Sequence, residues 1–377
     1  MKEKGVYIHI PFCVSKCQYC DFTSYVSNIE QIDKYLVYLE KEIEKYNIKK
    51  EEIKTIFIGG GTPTILNEKQ LIKLMDIVKN NINLENVSEY TVESNPGTLD
   101  IEKLTIMKEN GVNRISIGLQ AKQKNHLDFM GRIHSLEDFE DSYKNAREVG
   151  FKNINVDLIF AFSGQSEDDW KETLEYVVKL DPEHISTYSL IIEEETPFFE
   201  MLNRGEIEET TDENYLNMYR YTVKYLESHG LNQYEISNFS EEGYECKHNL
   251  FYWEGNEYFG FGCSSSGYLN GERYTNIKNL SQYYEKIDFD EYPIDFIEKL
   301  TDIDRFNEYI MLGLRKNEGI QLDEIREYLD KNQYRDIVGK IQDLSERQYV
   351  NFNNENRISL TQTGREVSNS IITELMI

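Results

Sequence analysis

Between residues 6 and 191 one pattern recurs: a short apolar run, then a longer amphipathic stretch. The short runs 6–10, 54–58, 90–93, 114–119, 154–160 and 184–191 read as strands. The intervening segments 31–46, 68–80, 101–110, 136–149 and 168–180 carry apolar residues at helical spacing. In the first of these, Ile32, Tyr35, Leu36, Leu39 and Ile43 share one face, and Gly111 and Gly150 stop two of the later ones. Strands alternating with helices predict a parallel sheet with right-handed crossovers. Six strands are too few for a closed eight-fold barrel, so the expected fold is α/β, an open partial (βα)6 barrel.

The unusual polar residues fall where such a fold builds sites, at the carboxyl ends of the strands. Gly59-Gly60-Gly61-Thr62-Pro63 follows the second run, and Glu93 closes the third ahead of Ser94-Asn95-Pro96-Gly97. Gln120 ends the fourth, and Asp157 sits inside the apolar fifth. The glycines let backbone approach a ligand closely, but no Lys-Ser/Thr follows, so this is not a phosphate loop. Taken singly, Glu93 and Asp157 also fit buried carboxylates satisfied by Arg114 or Arg132. Their agreement in position is what points to one mouth.

Cys13, Cys17 and Cys20 follow the first strand with spacing C-x3-C-x2-C, and only Cys246 and Cys263 occur elsewhere. Cysteines at i, i+4 and i+7 can simply share a buried helix face. Here Pro11 stands just before the set, and five cysteines in 377 residues do not ordinarily place three within eight. Three thiolates suit zinc or an iron–sulfur cluster with one position left open for chemistry. An odd number of cysteines argues against disulfides.

Past residue 200 the pattern changes. Thr210-Thr211-Asp212-Glu213 caps an expected helix at 214–229. The Gly- and aromatic-rich segment 234–274 shows no clear helical period. Beyond Pro293 the chain reads as helical and charged, with helices at 306–314, 322–329 and 337–344 and strand-like runs at 349–352 and 357–360. The expected division is therefore 1–205, a barrel-extending segment 206–292, and a smaller, mainly helical, winged-helix-like unit 293–377.

The chain is 39% hydrophobic and 12% aromatic, enough for a large core, and its net charge is −27. That charge excludes nucleic acid and anionic membrane surfaces as partners. No stretch approaches a membrane span, and the first residues offer no apolar run of a signal peptide, so the expected address is the cytoplasm.

The cysteine triplet, the Gly-Gly-Gly-Thr-Pro loop and the Glu93-Ser94-Asn95-Pro96 turn together resemble the radical S-adenosylmethionine superfamily. Tyr7-Ile8-His9-Ile10-Pro11-Phe12-Cys13 narrows the likeness to its coproporphyrinogen-oxidase-like branch. The resemblance implies a 4Fe–4S cluster on Cys13, Cys17 and Cys20, its fourth iron chelated by S-adenosylmethionine. It implies contacts to that cofactor from Tyr7, Tyr19, Gly60, Gly61, Thr62, Glu93, Gln120, Arg132 and Asp157. Arg132 would meet the carboxylate, and Glu93 and Asp157 hydroxyl or ammonium groups.

Two features divide the branch. Its oxygen-independent coproporphyrinogen oxidases carry a further cysteine where this chain has Phe22, and an N-terminal extension that this sequence lacks. His248-Asn249-Leu250-Phe251-Tyr252-Trp253 is an intact H-N-x-x-Y-W run, similar to the heme-binding motif of the branch's heme chaperones. That makes His248, Asn249, Tyr252 and Trp253 the heme-binding candidates, with an imidazole suited to heme iron. A lone histidine beside a Tyr-Trp pair is otherwise a polar residue in a surface loop. Cys246 two residues upstream does not make the C-x-x-C-H attachment pattern. The stretch 262–268 lacks a histidine that family members often have. The resemblance thus implies a heme chaperone with 4Fe–4S cluster, S-adenosylmethionine and heme. Its partners would be a heme-accepting protein and, as a homodimer, a second copy of itself. A coproporphyrinogen III oxidase and an anaerobic heme-degrading radical enzyme are the alternatives.

Overall fold

The six expected strands form one parallel array in chain order, as a computed structural model that describes residues 2–26, 28–352 and 356–377 shows. They are β1 (Glu3–Ile10), β2 (Glu52–Gly60), β3 (Glu89–Ser94), β4 (Arg114–Gln120), β5 (Ile154–Phe160) and β6 (His184–Ser189). All seven residues of the central β4 are buried, as expected of a parallel strand covered on both faces. The helices between strands start where local caps dictate. Asn67 with Gln70, Ser135 with Asp138 and Ser166 with Asp169 form reciprocal capping boxes.

The array is longer than the alternation implied. β7 (Asn232–Glu235) and β8 (Asn238–Ser240) extend it antiparallel beyond β6. On the other edge β9 (Tyr258–Phe261) runs parallel to β1, followed by antiparallel β10 (Ser266–Leu269), β11 (Glu272–Asn276) and β12 (Ile294–Lys299). The result is a 12-stranded sheet. Helix Asp212–Glu227 is capped by Thr211, as the sequence indicates.

Three local expectations change. Residues 294–299 are a strand of the main sheet, not helix: the segment is mostly exposed and is held by its backbone ladder to β11. Residues 324–327 form only a 3-10 turn, squeezed between strand β13 (Ile320–Gln321) and the Asp330 cap of the next helix. The segment 234–274, which shows no period, holds the helix Lys247–Trp253. A second hydrophobic core, including Phe306, Ile310, Ile337, Ile341 and Ile358, packs the C-terminal helices on a small antiparallel sheet, β13-β15-β14, with β14 Val350–Phe352 and β15 Arg357–Leu360.

Candidate functional site

The cysteine loop leaves β1 and is pinned at both ends. At its base Cys13 N donates to Tyr25 O at 3.0 Å and Tyr25 N to Pro11 O at 2.8 Å. At its tip Gln18 N donates to Met130 O, and Phe198 N to Gln18 O. This curls Cys13, Cys17 and Cys20 over the strand ends, and all three line one cavity of about 520 Å³. Gly60, Gly61, Thr62, Glu93, Gln120, Arg132, Asp157 and Tyr19 line the same cavity. Tyr7 instead faces a neighbouring cavity and bonds His9 Nδ1 through its hydroxyl at 2.9 Å.

A polar relay runs through the site. Arg132 Nη1 donates to Asn95 Oδ1 (2.9 Å), Asn95 Nδ2 to Thr62 Oγ1 (2.7 Å), and Thr62 Oγ1 to Cys13 Sγ (3.6 Å). Glu93 accepts from Gly60 N at 3.0 Å, and Asp157 from Ser116 Oγ and Asn155 Nδ2. Among the described residues neither carboxylate forms an ion pair with Arg114 or Arg132. Burial first, then the Asp157 charge, pushes Glu93 up to about 7. Burial likewise pushes Cys20 up to about 11, and its thiol also feels Cys17 and Cys13. Gly60 has φ +104°, and a Cβ there would lie 2.3 Å from the His9 ring. Gln120 sits at φ +69° at the register shift between β4 and β5, the kind of strained backbone that collects at sites.

The neighbouring cavity, about 490 Å³, shares Gly60, Glu93, Asp157 and Tyr188 as wall residues with the first, so the two adjoin. Its far wall includes His248, Asn249 and Tyr252 from the helix Lys247–Trp253. His248 is buried and stacks on Phe57, with ring centroids 5.2 Å apart. Its Nδ1 is 2.8 Å from Thr55 Oγ1 and its Nε2 is 2.8 Å from Tyr252 Oη. Burial, aided by the Arg114 charge, lowers its pKa to about 3, so the imidazole is neutral. Trp253 turns the other way, under the Arg315 guanidinium at 4.7 Å. The motif therefore faces two directions.

The Radical SAM superfamily profile matches residues 7–177 and the HemN C-terminal domain profile residues 300–367. Heme chaperone HemW of Bacillus subtilis is 38% identical over 98% of both chains. The chain belongs to the HemW family of heme chaperones. HemW of Lactococcus lactis is 34% identical over all of this chain and 98% of its own. A zebrafish relative, radical S-adenosyl methionine domain-containing protein 1, mitochondrial, is 30% identical over 92% of this chain and 80% of its own. The coproporphyrinogen III oxidase HemN of Escherichia coli superposes over 99% of this chain and 90% of its own with TM-score 0.85; at 23% identity that likeness shows the fold alone.

Within this HemW fold the residues fit a 4Fe–4S cluster with S-adenosylmethionine. Among the described residues no three His, Cys, Asp or Glu side chains converge as ligands of one ion. A cluster asks for something else, one thiolate on each of three irons. Arg132 Nε is buried without a partner among the described residues, at the place where a carboxylate is expected. Gly61 is obligatory in its cradle, since a Cβ would meet Phe12 O at 2.6 Å. Cys246 and Cys263 take no part: their thiols contact Glu89 and the Lys278 carbonyl.

The sequence places Asn95 in a turn with no assigned role, yet it joins Arg132 to Thr62. Its signal was position, two residues past Glu93 at a strand end. Glu89 was missed altogether. It accepts from Lys247 N at 2.8 Å and His248 N at 3.0 Å and so caps the motif helix.

Proposed function

We propose that the chain is a heme chaperone that binds heme and passes it to an acceptor protein, with a 4Fe–4S cluster and S-adenosylmethionine at the strand ends. The observation that carries this is a pair of adjoining cavities, three thiols lining one and the His248–Tyr252 helix face lining the other. Cys13, Cys17 and Cys20 would hold the cluster, and Gly60, Gly61, Thr62, Glu93, Gln120, Arg132, Asp157 and Tyr19 the nucleoside cofactor. Tyr7 would act from the adjoining cavity. When bound, the cluster supplies one electron to the sulfonium of S-adenosylmethionine. This chain's own part is to orient: Arg132 offers a fixed guanidinium, Glu93 a carboxyl buried beside Gly60, and Thr62 a hydroxyl to the Cys13 sulfur.

Heme is proposed to be handled by the motif helix through His248, Asn249, Tyr252 and Trp253. No helix among the described residues is long and apolar enough to cross a membrane, and we place the protein in the cytoplasm. Oxidase activity is disfavoured by Phe22, which is 60% exposed at the cavity rim where the oxidases carry another cysteine.

Two assays on anaerobically reconstituted protein test this. Hemin titration should give a saturable Soret change, and the 4Fe–4S spectrum should shift when S-adenosylmethionine is added. Incubation with coproporphyrinogen III should give no protoporphyrinogen. Sustained product formation, or no hemin binding, would reverse the assignment.

A further inference from the structure

The motif helix Lys247–Trp253 is seven residues long and has no side-chain cap from its own first turn. A helix this short is not self-supporting in water, so its order depends on what accepts its first N–H groups. Glu89 takes those of Lys247 and His248. The one before them, Cys246 N, donates to Tyr234 Oη at 3.1 Å. That hydroxyl ends a relay that starts at Asp157 in the cysteine-site cavity. Asn155 Nδ2 donates to Asp157 Oδ1 at 2.8 Å, and Asn155 Oδ1 lies 2.6 Å from His184 Nδ1. His184 Nε2 lies 2.9 Å from Tyr234 Oη. Strand pairing sets this up: Asn155 and His184 are register partners on β5 and β6, and Tyr234 comes from β7.

The polarity of the relay is fixed from one end. A carboxylate only accepts, so the Asn155 amide turns its nitrogen to Asp157 and its oxygen to His184. His184 Nδ1 therefore carries the proton and Nε2 accepts, which requires a neutral ring. Burial, aided by the Arg114 charge, holds that ring well below its ordinary pKa. Tyr234 then donates to Nε2, and its oxygen is left to accept from Cys246 N. Asn155, His184 and Cys246 are at most 1% exposed, so no solvent competes along the way.

Resting on the heme-chaperone reading, we propose that this relay couples the two ligand sites. S-adenosylmethionine at Asp157 and heme at the motif helix then reinforce each other's binding, with His184 and Tyr234 as the positioning residues between them. The element with two states is the start of the helix, capped or frayed. A ligand on Asp157 holds that carboxylate in place, and with it the line of bonds out to Cys246 N. A helix already held at its start has less ordering left to do when a second ligand binds. The effect is reciprocal by linkage.

The test uses the full-length, cluster-loaded chain under anaerobic conditions, with and without S-adenosylmethionine. Hemin affinity is read from the Soret band, and amide hydrogen exchange is followed over residues 247–253 without hemin. In the wild type the cofactor should tighten hemin about fivefold and slow exchange at the helix start. Tyr234→Phe keeps the ring and removes the link. Its cofactor effect on hemin should fall below about twofold, and exchange should no longer respond, while S-adenosylmethionine still binds. His184→Leu cuts the relay one group earlier and should do the same. Tyr90→Phe removes a different buried hydroxyl, one that donates to Met75 Sδ at 3.5 Å, and should leave the effect intact. No tightening in the wild type, an undiminished effect in both relay variants, or its loss in Tyr90→Phe as well would overturn the coupling. Exchange that slows in a wild type unable to bind hemin would remove the heme-chaperone reading and keep the link from cofactor to helix. Hemin binding with no response to the cofactor would do the reverse.

Discussion

Glu89 is buried, at 3% exposure. It lies at the start of β3, yet its two oxygens receive the first backbone N–H groups of a helix 158 and 159 positions later. Those N–H groups are orphans in any helix, and burial makes leaving them unpaired expensive. Glu89→Ala should therefore lower the unfolding free energy by about 2–4 kcal/mol, since two buried donors lose their acceptor. Glu89→Gln, which keeps one acceptor oxygen, should lose roughly half as much. Urea denaturation of both variants checks this; equal midpoints for the two and the wild type would mean that water replaces the carboxylate. The same residue explains why His248 is held so firmly. Burial and the Arg114 charge push the pKa of its ring down to about 3, so the imidazole is neutral near neutral pH.

At the scale of elements, the expected strands and helices were legible because periodicity and local caps specify them. Asn67, Ser135 and Ser166 announce helices within a few residues of sequence. The cysteine loop was legible because clustering is visible without any structure. The motif helix was not, because its cap comes from Glu89, and β12 was not, because its stability is a ladder to β11 and not an apolar face. The sheet extension was hidden for a related reason. Glu42, on the helix Ile29–Tyr46, reaches across to accept from Gly262 N (2.8 Å), Asn276 Nδ2 (2.6 Å) and Tyr283 Oη (2.6 Å). A glutamate on an amphipathic helix reads as surface; here it is fully buried and bolts the helix to β9 and β11. Burial pushes it up to about 7, against those hydrogen bonds. In the unfolded chain it gives up its proton near its ordinary value of 4.5. Between these pH values the folded state binds more protons, so this group's contribution to stability falls as pH rises and is fully lost above about 7. The stability of the wild type relative to Glu42→Gln should drop by about 3 kcal/mol from pH 4.5 to pH 7.5, then level off. Denaturation series at half-unit pH steps would show it, and a pH-independent difference would mean that Glu42 stays ionised throughout.

Across the whole molecule, polar contacts tie the main sheet's core to the C-terminal one. Asn317 N donates to Tyr234 O at 2.9 Å and its side chain to Gln233 O at 2.5 Å. Arg220 makes a two-pronged contact to Glu366 at 2.8 and 2.6 Å. Arg315 covers Trp253 at 4.7 Å while its Nε lies 3.9 Å from the carboxylate of Glu235, whose side chain is wholly buried. Arg315 therefore serves two ends: it offsets a buried charge in the β7–β8 hairpin and clamps the motif helix against the C-terminal unit. Arg315→Met keeps the length of the side chain and removes both effects. Glu235 then retains neutral donors, among them Ser237 N and Asn238 Nδ2, and no cation. A buried carboxylate stripped of its cation costs about 3–5 kcal/mol, and that loss falls on the seam between the cores. The variant should unfold in two steps, the C-terminal unit opening first, with hydrogen exchange accelerated at Phe306–Leu314 before the main sheet is affected. One cooperative transition, lowered as a whole, would mean instead that the cores are welded by their remaining contacts.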